Sequence, residues 1–97
     1  MSTKVGLLHL ELRLIGVQSL KQKRGLLTPL IIRLQRKFQA SIAEVDYHDK
    51  WQRSLLAVAI VSNDIKQLER SLQSVLTWLE KGNNDIELIG DSIEIIN

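Results

Sequence analysis

Asp46 to Arg53 reads DYHDKWQR, which brings carboxylates, an imidazole, a phenol, an ammonium, an indole and a guanidinium into one short stretch. Asp46, His48 and Asp49 could supply two or three ligands to a cation. Their spacing matches no strong metal motif, and His9 is the only other imidazole, so a closed site would have to be assembled across strands. Glu44, Asp46 and Asp49 could offer a pair of carboxylates for acid–base work, but surface carboxylates are common. Nucleophilic catalysis would need a serine placed beside a histidine. Ser41, Ser54 and Ser62 are available, and none sits in an elbow or next to a glycine-rich loop. The glycines are scattered, so no loop cradles a phosphate. No catalytic residue, metal site or cofactor is therefore expected, and the protein reads as non-enzymatic. Asp46, His48, Asp49, Trp51, Gln52 and Arg53 are taken instead as an interaction loop. In it Trp51 is expected to fold back as an apolar anchor, and Arg53 to pair with Asp46 or Asp49.

A second set of residues carries charge rather than reactivity. Lys21, Lys23, Arg24, Arg33, Arg36 and Lys37 crowd one segment, and residues 1 to 40 carry a net charge of +7 against −5 for the remainder. Such asymmetry bears on partners, since a concentrated positive patch attracts polyanions even when the total charge, here +2, is small. Lys21, Lys23 and Arg24 would stand at the start of a helix, where the macrodipole disfavours cations, so helix stability does not account for them. Arg33, Arg36 and Lys37 lie near its end, where the dipole favours them. The six residues form a candidate phosphate-binding surface for RNA. With four aromatics and no strand bearing a base-stacking motif, the chain does not look like a sequence-reading RNA module, so contact would be phosphate-directed and salt-sensitive.

These residues are positioned by a regular alternation of elements. From Val5 to Ile15, Leu8, Leu10, Leu12 and Leu14 alternate with His9, Glu11 and Arg13, the period of a half-buried strand. Ser19 followed by Gln22 has the spacing of a capping box, and a helix is expected from there to about Phe38. Its stripe is Leu20, Leu27, Leu30, Ile31, Leu34 and Phe38. Pro29 interrupts it, and one kinked helix is preferred over a turn plus a shorter helix capped by Thr28 because the stripe keeps its phase. Ser41 to Tyr47 is a short edge strand, in which Glu44 and Asp46 share the face of His9, Glu11 and Arg13.

Ser54 to Ser62 is apolar on both faces, as a central strand is. A second helix, capped by Asn63 or Asp64, buries Ile65, Leu68, Leu72, Val75, Leu76 and Leu79 and closes at Gly82, before a loop of Asn83, Asn84 and Asp85. The last strand changes phase near Gly90, and a bulged strand is preferred over a terminal hairpin. The order β-α-β-β-α-β, with right-handed crossovers, gives a ferredoxin-like α+β sandwich. Its antiparallel sheet has strand order 4-1-3-2 and both helices on one face.

A chain of 97 residues fits one domain, residues 1–97. It has no cysteine, no apolar run of signal-peptide type and none of membrane-spanning length, so no membrane partner is expected and a cytoplasmic location is. The open sheet face would carry an apolar strip from Leu55, Ala57, Ala59 and Val61 beside the polar His9, Glu11 and Arg13. Such a strip usually meets a partner, and homodimerisation through it is expected.

GLLHLELRL at the start, SLKQKR at 19–24, AEVDYHDKWQR at 43–53 and AIVSND at 59–64 together resemble, over nearly the full length, the small bacterial YlxP-like family, a domain-of-unknown-function family. The resemblance implies a ferredoxin-like domain whose genes tend to sit among those for translation initiation and ribosome maturation. That neighbourhood suggests RNA or a ribosomal particle as partner. The motif positions it singles out are Ser19, Leu20, Lys21, Lys23, Arg24, Glu44, Asp49, Trp51, Gln52 and Arg53, and it brings no catalytic role with them.

Overall fold

Leu8, Leu10, Leu12 and Leu14 are all fully buried, each contributing about 1.5–3 kcal/mol by leaving water. They fix which way the first strand faces. In the computed structural model, which describes residues 2–82 and 84–97, β1 is Lys4–Leu14, α1 Leu20–Phe38, β2 Ser41–Asp46, β3 Arg53–Ser62, α2 Ile65–Gly82 and β4 Ile86–Ile96. The four strands form one antiparallel sheet in the order β2-β3-β1-β4. This is the ferredoxin-like sandwich, with the expected order read from the other edge. The leucines of β1 join Leu56, Val58 and Ile60 of β3 and the stripes of both helices in one core.

Both helices start where the sequence places a cap. The Ser19 side chain accepts from the Gln22 backbone N–H at 3.0 Å. The Gln22 side chain in turn accepts from the Gln18 N–H, one residue earlier than an ideal capping box would have it. Asp64 caps α2 by accepting from the N–H groups of Lys66 and Gln67. α1 runs unbroken across Pro29 and ends at Gln39, which adopts a left-handed conformation. The expected stripes extend one residue too far at their starts, since Leu20 and Ile65 are exposed first-turn residues. Asn83 lies outside the described residues. At Gly6 the helix comes so close that an added Cβ would lie 2.8 Å from Leu72 Cδ1, which explains a glycine in the central strand.

Two register shifts shape the edges. On β4, Gly90 pairs with Glu11 and Leu88 with Leu12, leaving Ile89 as the extra residue of a bulge, so the last segment is a bulged strand. On β2, Glu44 pairs with Leu56 and Asp46 with Leu55, leaving Val45 extra. This corrects the expected phase of β2. Glu44 lies opposite a fully buried β3 residue and therefore on the helix side, and only after the bulge does Asp46 return to the open face. Among the described residues no helix is long and apolar enough to cross a membrane.

Candidate nucleic-acid interface

The six cations of α1 divide five to one. Lys21, Arg24, Arg33, Arg36 and Lys37 are exposed. Lys23 is not: its side chain is only 3% exposed, because it stands four residues before Leu27 and shares the buried phase of Leu27, Leu30 and Leu34. Lys23 therefore leaves the phosphate-contact set. A buried ammonium must fill its three donor positions, and this one does. Nζ donates to the Tyr47 carbonyl at 2.6 Å and the Lys50 carbonyl at 2.8 Å, and pairs with Glu44 Oε2 at 2.9 Å. The same oxygen accepts from Ser54 Oγ at 2.6 Å, and Ser54 is fully buried on β3. The cation thus joins α1 to the second and third strands.

Above this network the DYHDKWQR loop is tied down at several points. Tyr47 takes a left-handed backbone conformation, φ 62°, and its N–H donates to Asp46 Oδ1 at 2.7 Å. Tyr47 O also accepts from the Lys50 N–H, which closes the turn. His48 Nε2 donates to the Glu44 carbonyl at 3.0 Å, Gln52 Nε2 to the Val17 carbonyl at 3.0 Å, and the Leu14 N–H to Gln52 O. Arg53 pairs across the sheet with Glu11, not with Asp46 or Asp49, because as the first residue of β3 it sits on the open face beside β1. Its guanidinium lies over the Tyr47 ring, 4.4 Å from the centroid. Trp51 does not fold back: it is 51% exposed. Asp49 is exposed at the loop tip.

The groups that suggested catalysis or metal binding are thus dispersed or engaged. Among the described residues no three of His, Cys, Asp or Glu come together as a metal site. His9 lies on the open face between Ala57 and Ser92 of the neighbouring strands, away from the loop.

A family model described as "Protein of unknown function (DUF503)" matches residues 5–92. The chain belongs to this family. It is also 38% identical over 76 residues, 78% of its own length and 83% of the relative's, to the "Uncharacterized protein YlxP" of Bacillus subtilis (strain 168). In this DUF503 chain, the stretches SLKQKR and AEVDYHDKWQR, distant in sequence, meet physically at Lys23 and Glu44. Several of the positions in those stretches are thereby explained by architecture: Ser19 caps, Lys23 and Glu44 tie the loop, and Gln52 and Arg53 fasten its end. Lys21, Arg24, Lys50 and Trp51 are left facing solvent.

On α1 itself, none of the five exposed cations joins an ion pair among the described residues, where the pairs are Arg13–Glu87, Lys23–Glu44 and Arg53–Glu11. Arg33 Nε donates to the Pro29 carbonyl, and Lys37 Nζ lies 6.0 Å from the Phe38 ring centroid. The helix holds no acidic residue. Its outer face is therefore uniformly basic. Sequence reasoning missed Glu44 and Ser54 as partners of Lys23. The helical phase of Lys23, which puts a lysine on an apolar stripe, signals its burial but not its partners.

Proposed function

We propose that this protein is a non-enzymatic binder of structured RNA, free or within a ribosomal particle, that contacts phosphates through α1. The observation that carries this reading is the solvent-facing set Lys21, Arg24, Arg33, Arg36 and Lys37, on a helix without one carboxylate and with none of these cations in an ion pair among the described residues. Acidic neighbours three or four residues away would stabilise exposed cations on a helix. Leaving them all unmatched makes the helix repel itself and attract a polyanion. Reversing Lys21, Arg24 and Arg36 to glutamate is expected to weaken binding to structured RNA by about a hundredfold. It should also flatten the dependence of log affinity on log salt by about one unit per lost phosphate contact. Unchanged affinity and slope would overturn the reading.

A second reading concerns the opposite face, where Val5, Leu7, Leu55, Ala57, Ala59 and Val61 form the strip that the helices leave open, with Val61 66% exposed. The strip runs toward the Val5–Val61 end of the β1–β3 pair, away from Arg13 and Arg53, and is a surface that a second copy can cover across a two-fold axis. On this reading the RNA binder is a homodimer with an α1 on each outer side. Sedimentation equilibrium at micromolar protein should show a dimer that Val61→Lys dissociates, and a monomer throughout would remove this reading without touching the first.

A further inference from the structure

We propose that Trp51 is a stacking platform for an unpaired nucleobase, set in a cationic groove formed by Arg13, Lys50 and Arg53; the proposal rests on the reading of α1 as a phosphate-binding surface. The indole is half exposed, yet the backbone on both sides of it is fixed. Lys50 O is held by the buried Lys23 ammonium, and Gln52 is held through its own carbonyl by the Leu14 N–H and through its side chain by the Val17 carbonyl. Among the described residues Trp51 shares no ring contact, whereas Trp78 packs edge-on against Phe38 at 6.3 Å between centroids. A large aromatic held in solvent by an ordered loop is already arranged for a flat partner, and little ordering cost remains when one arrives.

The groove beside it is lined by Arg13, Asp49, Lys50, Trp51, Gln52 and Arg53, three cations against one carboxylate. Arg53 pairs with Glu11 and lies over the Tyr47 ring. Arg13 is exchangeable, since its pair with Glu87 spans 3.6 Å with both side chains half exposed, and such pairs are worth little in water. An indole face with an exposed guanidinium and an ammonium next to it suits a base with flanking phosphates. Any base offers a π-face, so the site would favour unpaired segments without reading their sequence. The loop that carries Trp51 is also tied to α1, because the ammonium that fixes it belongs to the same helical turn as Lys21 and Arg24.

The test compares a hairpin RNA carrying an unpaired loop with a blunt duplex of equal charge, bound to the full-length protein, to Trp51→Ala and to Trp51→Phe. Wild type is expected to favour the hairpin by about tenfold. Trp51→Ala should erase that preference while leaving duplex affinity and its salt slope unchanged, and Trp51→Phe should keep most of it. The Lys21, Arg24 and Arg36 reversal should weaken both RNAs alike. Loss of duplex affinity in that variant, with a hairpin preference that survives Trp51→Ala, would overturn the stacking site and leave the α1 reading standing. Duplex affinity unmoved by the reversal would sink the α1 reading, and this proposal with it. Competition by polyglutamate as effective as that of the hairpin would likewise overturn it, by showing that the groove takes anionic chains without regard to bases.

Discussion

The two helices lie on the same face of the same sheet and are built by different rules. α2 buries Leu68, Leu72, Val75, Leu76 and Leu79 along one stripe and mixes its charges, Lys66, Arg70 and Lys81 with Glu69 and Glu80. It is what a helix looks like when its only duty is to cover a sheet. α1 buries three leucines and a lysine, contains Gly25 and Pro29, and carries no acid at all. Gly25 and Pro29 each lower helix stability on their own. The inner side of α1 ties down a loop, and its outer side carries cations alone.

The comparison can be broken or sharpened by substitution, and the largest effect should come from the lysine on the inner side. Lys23→Ala leaves two loop carbonyls and the Glu44 carboxylate without their shared donor, and about 3–5 kcal/mol of stability should be lost in denaturant titration. A loss below about 1 kcal/mol would mean that the loop is held without it. Next comes the reversal of Lys21, Arg24 and Arg36, whose hundredfold effect on RNA, about 2.7 kcal/mol, should appear with the unfolding midpoint barely changed. The same reversal at Lys66, Arg70 and Lys81 of α2 should leave RNA affinity nearly intact, and equal losses from both helices would erase the distinction between them.

Removing the Asp64 cap by Asp64→Ala should cost α2 about 1 kcal/mol. Smallest of all, Gly25→Ala adds a methyl where nothing lies within 4 Å and should stabilise the protein by about 0.5–1 kcal/mol, read as a raised thermal midpoint. A destabilising outcome there would show that α1 needs its softness at that turn.

The fold was largely legible in the sequence because its strongest signals are periodic. Leu8 to Leu14 allow one face only, and the unbroken apolar run from Leu55 to Val61 requires a central strand. The β2 strand was not legible in phase, since six residues with small side chains at Ser41 and Ala43 carry little hydrophobic contrast, and a bulge at Val45 reverses the alternation within them. The candidate site divided in the same way. Exposure of Lys21, Arg24 and Arg36 follows from their position opposite the leucine stripe. Partners of Lys23 and Arg53 depend on which strands come to lie side by side, and the direction of Trp51 depends on hydrogen bonds made by its neighbours. No local pattern encodes either.

The two bulges have a consequence for the life of the protein among other chains. Val45 and Ile89 lie on β2 and β4, the strands at the two rims of the sheet, where unsatisfied N–H and C=O groups could template the addition of foreign strands. Each bulge interrupts that row of donors and acceptors and increases the local twist, so neither rim offers a long, flat partner for edge-to-edge pairing. The fold is thereby guarded against meeting other chains through its margins.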